Sequence, residues 1–589
     1  MNQNANTKML TKLMFRLLPI QVLLSAVSAV NGIVSSFFAS NYVGVEAMSA
    51  VGLYSPIQMF LTSVSTILVG GSVILCGKYM GRNEQDKLHN VFSLNLIVSF
   101  LIAVAFSLLF VLFGSFDLTG NFTKDGAVRP LFNRYLIGQA IGLIPLMLGN
   151  SFAYFLSLEG KTRQTTFASL IYIAANIALN FLFVKQLHME AFGLALASSL
   201  GIWIFLAAEL PPFLRKKTHM HLYLNSLKWK EIISIYKTGL PGAASNSYQT
   251  LRGFIVNRLI EVFVGSVGIS AFAAADNLMR IFWAVPAGML AVSRMLISVS
   301  VGEEDRQTLA DVMRVMFKRF LPLQAALSAA IILCAVPMTR LFFQDPAEPV
   351  YRMTVWGLRI LPLCMPFSII CMHFTIYGQT SGKMKLVYLL ALLDGVVCVA
   401  GFTALLIRFV GMNSVYIANV LNGAVTTLVV LGYAWIKKKR FPRDMEELMV
   451  IPDDFGAPES ERMDLSDKSM EEVVFIAEQV QRFCLEHGGD SRRAYLAGLS
   501  MEEMAGNVVD HGFMKDSKAH SVDVRVVHKN DDVILRIKDD CVPFDPGERQ
   551  KIAEGDDIAK NIGIRMVFKI ARDVQYQNIL GLNVLTIKI

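Results

Sequence analysis

Long apolar stretches constrain this sequence more than any other feature. A helix needs about 20 apolar residues to cross roughly 30 Å of hydrocarbon. Windows of this length lie near residues 14–38, 50–76, 92–114, 132–157, 166–185, 191–213, 234–263, 268–300, 315–343, 353–378, 386–407 and 413–436. Hydrophobic residues make up 54% of the chain and charged residues only 17%, which is more apolar than a soluble protein of this size requires. The sequence therefore predicts an all-α polytopic membrane domain with twelve transmembrane helices.

Basic residues predict the orientation of these helices, because cytoplasmic loops retain Lys and Arg. With the N-terminus inside, the inner loops would carry most of the basic residues between the spans, and the outer loops would carry few. The inner set is Lys78, Arg82, Lys87, Lys161, Arg163, Arg215, Lys216, Lys217, Lys228, Lys230, Arg306, Arg314, Lys318, Arg319, Lys383 and Lys385. Both termini are therefore predicted to be cytoplasmic. After Arg440 the chain contains 19 Lys and Arg against 29 Asp and Glu, which argues against a nucleic-acid partner.

The two sets of six spans resemble one another. The segment VGVEAMSAV at Val43 matches VGSVGISAF at Val264, and the glycine of YMGRNEQDKL at Gly81 matches that of SVGEEDRQTL at Gly302. Both pairs are 221 residues apart. This shared spacing predicts two parallel six-helix repeats, 10–220 and 230–440, related by an axis along the membrane normal. Two such bundles can rock around a central cavity, which is the geometry of alternating access.

Ionisable residues inside the predicted spans are candidates for that cavity, because charge at mid-bilayer is costly and usually faces a cavity or a partner. Asp276 and Arg280 are four residues apart and are expected to pair on one helix face, either as a structural clip or for transport. Asp394 has no cation adjacent in sequence and is a candidate proton-titrating or cation-contacting group. Arg252 would favour an anionic substrate or, alternatively, satisfy an interhelical hydrogen bond.

The membrane part resembles the multidrug and toxic compound extrusion (MATE) family. The resemblance rests on a Leu-Pro pair near the start of each half, at Pro19 and Pro241, and on the motifs GKYMGRNE, LEGKTRQTTF and AFGLALASSLG. It implies a secondary antiporter that exports a small amphipathic or cationic molecule, driven by Na⁺ or H⁺. The coupling carboxylates of the family have no acidic counterpart here, since helix one offers Asn31 and helix seven offers Asn246 and Gln249. Asn31, Gln249 and Arg252 are also expected to line the cavity.

A soluble domain follows the last span. Residues 441–468 are predicted to be a linker and 469–589 a cytoplasmic α/β sandwich. Apolar residues recur at helical spacing over 469–486, and 493–511 indicates a second helix. The alternating segments SVDVRVVHK and DVILRIKDD are typical of strands, GIRMVFKIARDV of a helix and NVLTIKI of a last strand.

Three pieces of this domain carry chemistry. Glu503 and Asn507 lie four apart on one helix face, where an amide oxygen can ligate Mg²⁺ and a carboxylate can act as a base. Asp539 ends a strand, where it can accept from an exocyclic amine. The chain enters a helix at Gly563, where backbone N–H groups can hold phosphates.

Together these pieces resemble the GHKL ATPase superfamily, most closely the serine-kinase anti-sigma factors of bacteria. The resemblance covers 469–589 and implies ATP and Mg²⁺ as cofactors and a bacterial plasma membrane as the location. It assigns Glu503 as catalytic base, Asn507 as Mg²⁺ ligand, Asp539 as adenine contact and Gly563 as part of the phosphate lid. Further nucleotide contacts are expected in the same motifs, at Asp545 and Ile564. Two motif glycines are replaced, by Cys541 and Asn561.

Two functions remain open. The chain could be an efflux transporter with a cytoplasmic ATP-binding regulatory domain. Alternatively, it could be a membrane sensor whose kinase-like domain phosphorylates or sequesters a cytosolic protein partner. A P-loop pump is disfavoured, because the sequence contains no GxxxxGK[ST] motif.

Overall fold

The computed structural model describes most of the chain, including both domains. The described residues are 3–38, 42–43, 45–121, 126–215, 218, 220–223, 227–340, 343, 345–457, 459–467, 469–513, 520–529, 532–547 and 562–589.

The first half of the membrane domain is helical. Its helices are α1 (Gln3–Phe38), α2 (Val45–Ser65), α3 (Gly71–Gly81), α4 (Gln85–Ser115), α5 (Val128–Ala140), α6 (Leu143–Leu158), α7 (Thr162–Asn180), α8 (Glu190–Glu209) and α9 (Pro211–Leu214). A π-helical turn, Thr66–Gly70, joins α2 to α3, and another, Phe181–Gln186, extends α7.

The second half repeats this plan. Its helices are α10 (Glu231–Phe263), α11 (Ser266–Phe282), α12 (Ala284–Gly302), α13 (Arg306–Val315), α14 (Leu321–Leu333), α15 (Ala335–Thr339), α16 (Pro349–Ile360), α17 (Met365–Ser381), α18 (Met384–Leu392), α19 (Cys398–Val410) and α20 (Asn413–Lys438). The predicted eighth span, 268–300, is broken at Trp283, between α11 and α12.

Among the described residues, ten helices are long and apolar enough to cross a membrane, or eleven if α5 and α6 form one span bent by 46°. The predicted seventh span, α10, is 33 residues long but carries many polar residues and is not one of the ten. The count of twelve therefore stays a prediction.

The turns that the sequence repeat pairs have the same backbone. Asn83 and Glu304 both adopt positive φ, at 55° and 51°, and each follows a glycine that ends a helix. The N–H groups of Glu84 and Asp305 donate to the carbonyl oxygens of residues 79 and 300, at 2.9 Å in both turns. The 221-residue spacing thus corresponds to one local structure formed twice.

The C-terminal domain is a five-stranded antiparallel sheet covered by helices on one face. The short helix α21 (Met445–Met449) precedes this domain and packs on the bundle. The domain's own elements are β1 (Arg462–Asp467), α22 (Met470–Glu486), α23 (Ser491–Asn507), β2 (Val522–Lys529), β3 (Asp532–Asp539), α24 (Ile562–Ile570), β4 (Asp573–Ile579) and β5 (Leu582–Lys588). The strand order is β1-β2-β3-β5-β4.

Local sequence explains these elements. The side chain of Ser469 accepts from the Glu472 N–H to start α22, and Asp490 accepts from the Arg493 N–H to start α23. Strand β3 buries alternate residues, so that Leu535 faces the helices and the next side chain faces away. The opposite face of the sheet meets one end of the helical bundle, which we call the domain end.

Two strands lie where the sequence predicted other structure. The predicted linker, 441–468, contains α21 and β1, and β1 pairs with β2 from Arg462 opposite Val527 to Asp467 opposite Val522. Strand β4 begins at Asp573, inside the segment GIRMVFKIARDV that was predicted to be wholly helical. Its pairing with β5 overrides the local helical pattern.

Candidate functional site

One polar cluster lies within the second half of the bundle. Asp394 occupies a π-helical turn, Leu393–Val397, between α18 and α19. Its Oδ1 accepts from Asn422 Nδ2 on α20 at 2.8 Å, and Arg252 on α10 donates to its backbone oxygen at 3.2 Å. Turns of this kind leave carbonyl oxygens free of helical partners and often occur at functional sites. The structure thus brings Arg252 and Asp394 together, with Arg252 making the interhelical hydrogen bond considered above.

The other predicted cavity residues whose side chains are described bond to different partners. Arg280 donates to Asp276 Oδ2 through Nε at 3.0 Å and through Nη2 at 2.9 Å, which confirms that they pair. Gln249 donates to Ser245 on its own helix at 3.4 Å. Asn31 belongs to α1, but its side chain lies outside the described part of the chain.

Sequence reasoning missed two residues in the bundle. Asn422 was not singled out, because a lone amide in an apolar span gives little signal before its partner Asp394 is known. Glu209, at the end of α8, is fully buried, and neither of its carboxylate oxygens has a hydrogen-bond partner among the described residues. An acid inside an apolar stretch was the signal that could have identified it.

The second candidate site lies at the end of β3. The buried Asp539 accepts at Oδ1 from the Cys541 N–H at 3.0 Å and from Asn583 Nδ2 at 2.7 Å. Tyr576 donates in turn to Asn583 Oδ1 at 2.8 Å. Burial raises the pKa of Asp539, and the bond from Asn583 only partly offsets this. Asn583 and Tyr576 were missed because they belong to no recognised motif. Only the folded sheet brings their strands close to Asp539.

Helices α23 and α24 provide the rest of this site. Asn507 Nδ2 donates to the Glu503 carbonyl oxygen at 2.7 Å, which directs its Oδ1 away from the helix backbone. The start of α24 lies on Glu503, since a Cβ added at Gly563 would be 1.8 Å from Glu503 Oε2. The predicted base and the predicted phosphate-binding helix are therefore in contact.

The remaining motif residues have different environments. Asp545 Oδ1 accepts from the Gly547 N–H at 2.8 Å and shapes the loop after β3. Ile564 is buried in the apolar core of the domain, so its side chain is unsuited to the predicted nucleotide contact. Cys541 is buried, 3.1 Å from the position of a Cβ on Gly512, and Asn561 lies outside the described residues.

These residues fit a nucleotide with one Mg²⁺. A buried carboxyl at a strand end, an amide oxygen directed outward and a helix N-terminus occur on elements that pack against each other. Within the described ranges, no group of three or more His, Cys, Asp or Glu side chains could hold a metal ion. The amide oxygen of Asn507 could ligate a Mg²⁺ ion that nucleotide phosphates also hold.

Family comparison decides the assignment of the membrane part. The model of the MatE family matches residues 21–182 and 241–429, one match in each half of the bundle. The chain belongs to the MatE family. A second match, to the histidine kinase-like ATPase domain, covers residues 468–589, so this MatE protein carries an ATPase-like domain after its bundle.

Relatives found by sequence agree with the MatE assignment. A probable multidrug resistance protein NorM of Halalkalibacterium halodurans is 25% identical over 275 residues, 45% of this chain and 59% of the relative. The corresponding protein of Bacillus subtilis is 26% identical over 51% of this chain and 67% of the relative. The chain thus aligns with little more than half of the first of these relatives.

Solved structures match the fold of the MatE part. A MATE transporter in an outward-facing conformation covers 74% of this chain and 96% of its own length, with a TM-score of 0.68 at 20% identity. A MATE structure in a bent conformation covers 76% and 98%, with a TM-score of 0.66. At this identity the likeness establishes the fold alone.

Proposed function

We propose that this protein exports small amphipathic or cationic molecules by alternating access, as a secondary antiporter in a bacterial plasma membrane. The observation that carries the proposal is the match of the MatE family model to both halves of the bundle. The relatives described as multidrug resistance proteins support the substrate class. The basic inner loops favour a cytoplasmic position for both termini and for the C-terminal domain.

The Asp394 cluster is the proposed site of ion coupling by Na⁺ or H⁺. Its carboxylate lies on a π-helical turn, accepts one hydrogen bond from Asn422 and has Arg252 on its backbone oxygen. Protonation or cation binding at Asp394 would alter the contact between α18–α19 and α20. A substrate-linked movement of the helices in the second half could follow from that change.

Transport by the full-length protein in proteoliposomes tests both proposals. A fluorescent lipophilic cation should be moved when a Na⁺ or pH gradient is imposed, and Asp394→Asn should slow this at least about tenfold, because the titrating group is lost. Asp345→Asn, in an exposed loop, is the matched control. Movement of the cation without any gradient, or wild-type rates in Asp394→Asn, would refute the coupling role.

The C-terminal domain is proposed to bind ATP with Mg²⁺ and to regulate the bundle. Asp539 would accept from the adenine amine, Asn507 would ligate Mg²⁺, and the start of α24 at Gly563 would face the phosphates. In any turnover, a phosphoryl group of ATP would pass to water or to a partner hydroxyl. Glu503 would be the base that accepts the proton of that water or hydroxyl. The support is the contact of Glu503 with Gly563 and the buried hydrogen-bond network of Asp539.

Calorimetric titration of the full-length protein with ATP tests this assignment. Asp539→Asn should lower affinity about tenfold, because it replaces a carboxyl acceptor in a buried network. Asn507→Ala should weaken only the Mg²⁺-dependent part of binding. Glu471→Gln, on the outer surface of α22, is the control. Equal heats for wild type and both variants, with and without Mg²⁺, would show that the domain does not use these residues for nucleotide.

A further inference from the structure

The face of the C-terminal sheet that lies opposite its helices carries charge, yet it is buried. Along β2 and β3, Val524 and Leu535 face the domain core, whereas Arg525, Arg536 and Lys538 face away from it. Arg525 is only 8% exposed. Charged side chains are almost never buried without a partner. Asp464 on β1 pairs with Arg525 within the sheet, and the other acidic partners of these cations lie on a neighbouring surface.

That surface is the turn between α12 and α13, in the second half of the bundle. Lys538 Nζ lies 2.9 Å from Glu303 Oε2 and 3.4 Å from Asp305 Oδ2. Arg525 forms an ion pair with Asp305, and Arg536 lies 3.6 Å from Glu303. Burial alone would raise the pKa of Asp305, but Arg525, Lys538 and Arg536 outweigh it and hold that pKa well below its usual range. We call these five side chains the ionic cluster.

The same domain contacts the first half of the bundle through the β4–β5 hairpin. The Leu580 N–H donates to the Leu158 carbonyl oxygen at 3.3 Å. The hairpin turn lies so close to the bundle that a Cβ on Gly160 would be 2.6 Å from the Gly581 nitrogen. Ile579 and Leu580 belong, with Leu158, to the apolar core of the bundle. One domain is therefore attached to both halves, through the ionic cluster to the second and through the β4–β5 hairpin to the first.

The two halves also touch each other at the domain end. A Cβ at Gly81 on α3 would lie 2.4 Å from the Val299 carbonyl oxygen on α12. A Cβ at Gly302 would lie 2.2 Å from the Lys78 carbonyl oxygen. Helices from different halves thus meet backbone to backbone here. Any opening of a central path toward the domain end must separate α3 from α12, and with them the two surfaces that the sheet joins.

We infer that the C-terminal domain is a clasp that holds the domain ends of the two halves together, so that its release permits this end to open. The inference rests on the proposed alternating-access function. A nucleotide at Asp539 would act next to the clasp, because the adjacent Asp540 accepts from Lys12 Nζ on α1 at 2.7 Å. Hydrogen bonds from Lys12 and His520 lower the pKa of Asp540 although burial opposes them, so its charge is retained.

Spin-label distances in the full-length protein test the clasp. The exposed Cys334 is replaced by Ser, and labels are placed on the exposed positions Asp86 in the first half, Lys385 in the second and Tyr495 on the domain. The 86–385 distance reports the domain end, and the 495–385 distance reports docking. No substrate is needed for either reading.

Lys538→Glu places an anion beside Glu303 and should lower the ratio of docked to undocked domain about a hundredfold, because one partner of a buried charge cluster is lost. Both distances should then gain a longer population. Glu303→Lys combined with Lys538→Glu should recover part of the docked population, because it restores one ion pair but leaves Arg536 and Asp305 each beside a like charge. Arg572→Glu is the control, since it reverses a charge in an exposed pair with Asp532.

Two outcomes would overturn the clasp. One is a lengthened 495–385 distance with an unchanged 86–385 distance, which would show that the domain leaves without freeing the halves. The other is no change in either distance, which would show that the ionic cluster does not hold the domain. Failure of transport in proteoliposomes, combined with lengthened distances, would contradict the proposed function while leaving the clasp intact.

Discussion

Asp523 should weaken the attachment between the domain and the bundle at neutral pH. It lies on β2, is 4% exposed, and lines a cavity of about 60 Å³ with Met9, Glu303 and Lys538. Its Oδ1 has no hydrogen-bond partner among the described residues. Burial raises the pKa of Asp523 from 3.8 to about 6, despite a hydrogen bond from Ser466 and the nearby positive charges. The docked structure therefore holds a proton on Asp523 more readily than water does, and ionised Asp523 weakens docking.

The size and sign of the effect follow from this shift. An acid whose pKa is raised by burial destabilises the docked structure most at pH values above that raised pKa, where the buried carboxylate is charged. This destabilisation disappears below the acid's ordinary pKa, where the group is protonated whether or not it is buried. A shift from 3.8 to about 6 corresponds to roughly 3 kcal/mol at pH 7.5, about half of that at pH 5 and less at pH 4. Asp523→Asn removes the charge but leaves a buried amide, so a net gain of about 1 to 3 kcal/mol is expected at pH 7.5.

Hydrogen exchange measured by mass spectrometry on the peptides that cover β2 and β3 is the assay. Wild type and Asp523→Asn are compared at the same pH, so that intrinsic exchange rates cancel. The variant should exchange about 5 to 150 times more slowly at pH 7.5, and the difference should shrink steadily toward pH 4. Asp532→Asn, in an exposed pair with Arg572, should show little of this dependence. Faster exchange in Asp523→Asn at pH 7.5, or a pH-independent difference, would refute the reasoning.

Three further substitutions test single contacts. Gly160→Ala should speed hydrogen exchange in the β4–β5 hairpin more than Gly382→Ala does. Both glycines have positive φ, but of the two only Gly160 lies against Gly581. Equal effects of the two substitutions would exclude that contact. Gly563→Ala should displace the Glu503 carboxylate and reduce any ATP turnover more than ATP affinity; a loss confined to affinity would contradict this. Asn422→Leu should change the pH dependence of transport by removing the hydrogen bond to Asp394, whereas an unchanged profile would separate that bond from coupling.

Apolar length and periodicity predicted much of the architecture, because burial in lipid or in a core determines both. The strands at 522–529 and 532–539 and the helices at 470–486 and 491–507 lie where alternation and helical spacing predicted them. Strand β1 was missed because RMDLSD has only two large hydrophobic residues, Met463 and Leu465, and its strand form depends on pairing with β2. The pairing of Asp276 with Arg280 was predictable from a spacing of four. The contacts of Asp394 were not, since Asn422 and Arg252 approach it from other helices.

The position of the ionic cluster shows how a duplicated bundle can bind the charged face of the sheet through only one of two similar turns. At the spacing of 221, Glu303 and Asp305 correspond to Arg82 and Glu84 in the first half, and both turns have the same backbone. The geometry alone therefore offers two equivalent places for the sheet. The charges of the two turns differ. Glu303 in the second half attracts the basic side chains of β2 and β3, whereas Arg82 at the corresponding position of the first half would repel them. Exchanging the pair, with Arg82→Glu and Glu303→Arg, should weaken docking as strongly as Lys538→Glu does, because the favourable charge is moved to the turn that the sheet does not reach. Unchanged domain distances in that exchanged variant would show that shape, and not charge, selects the second half.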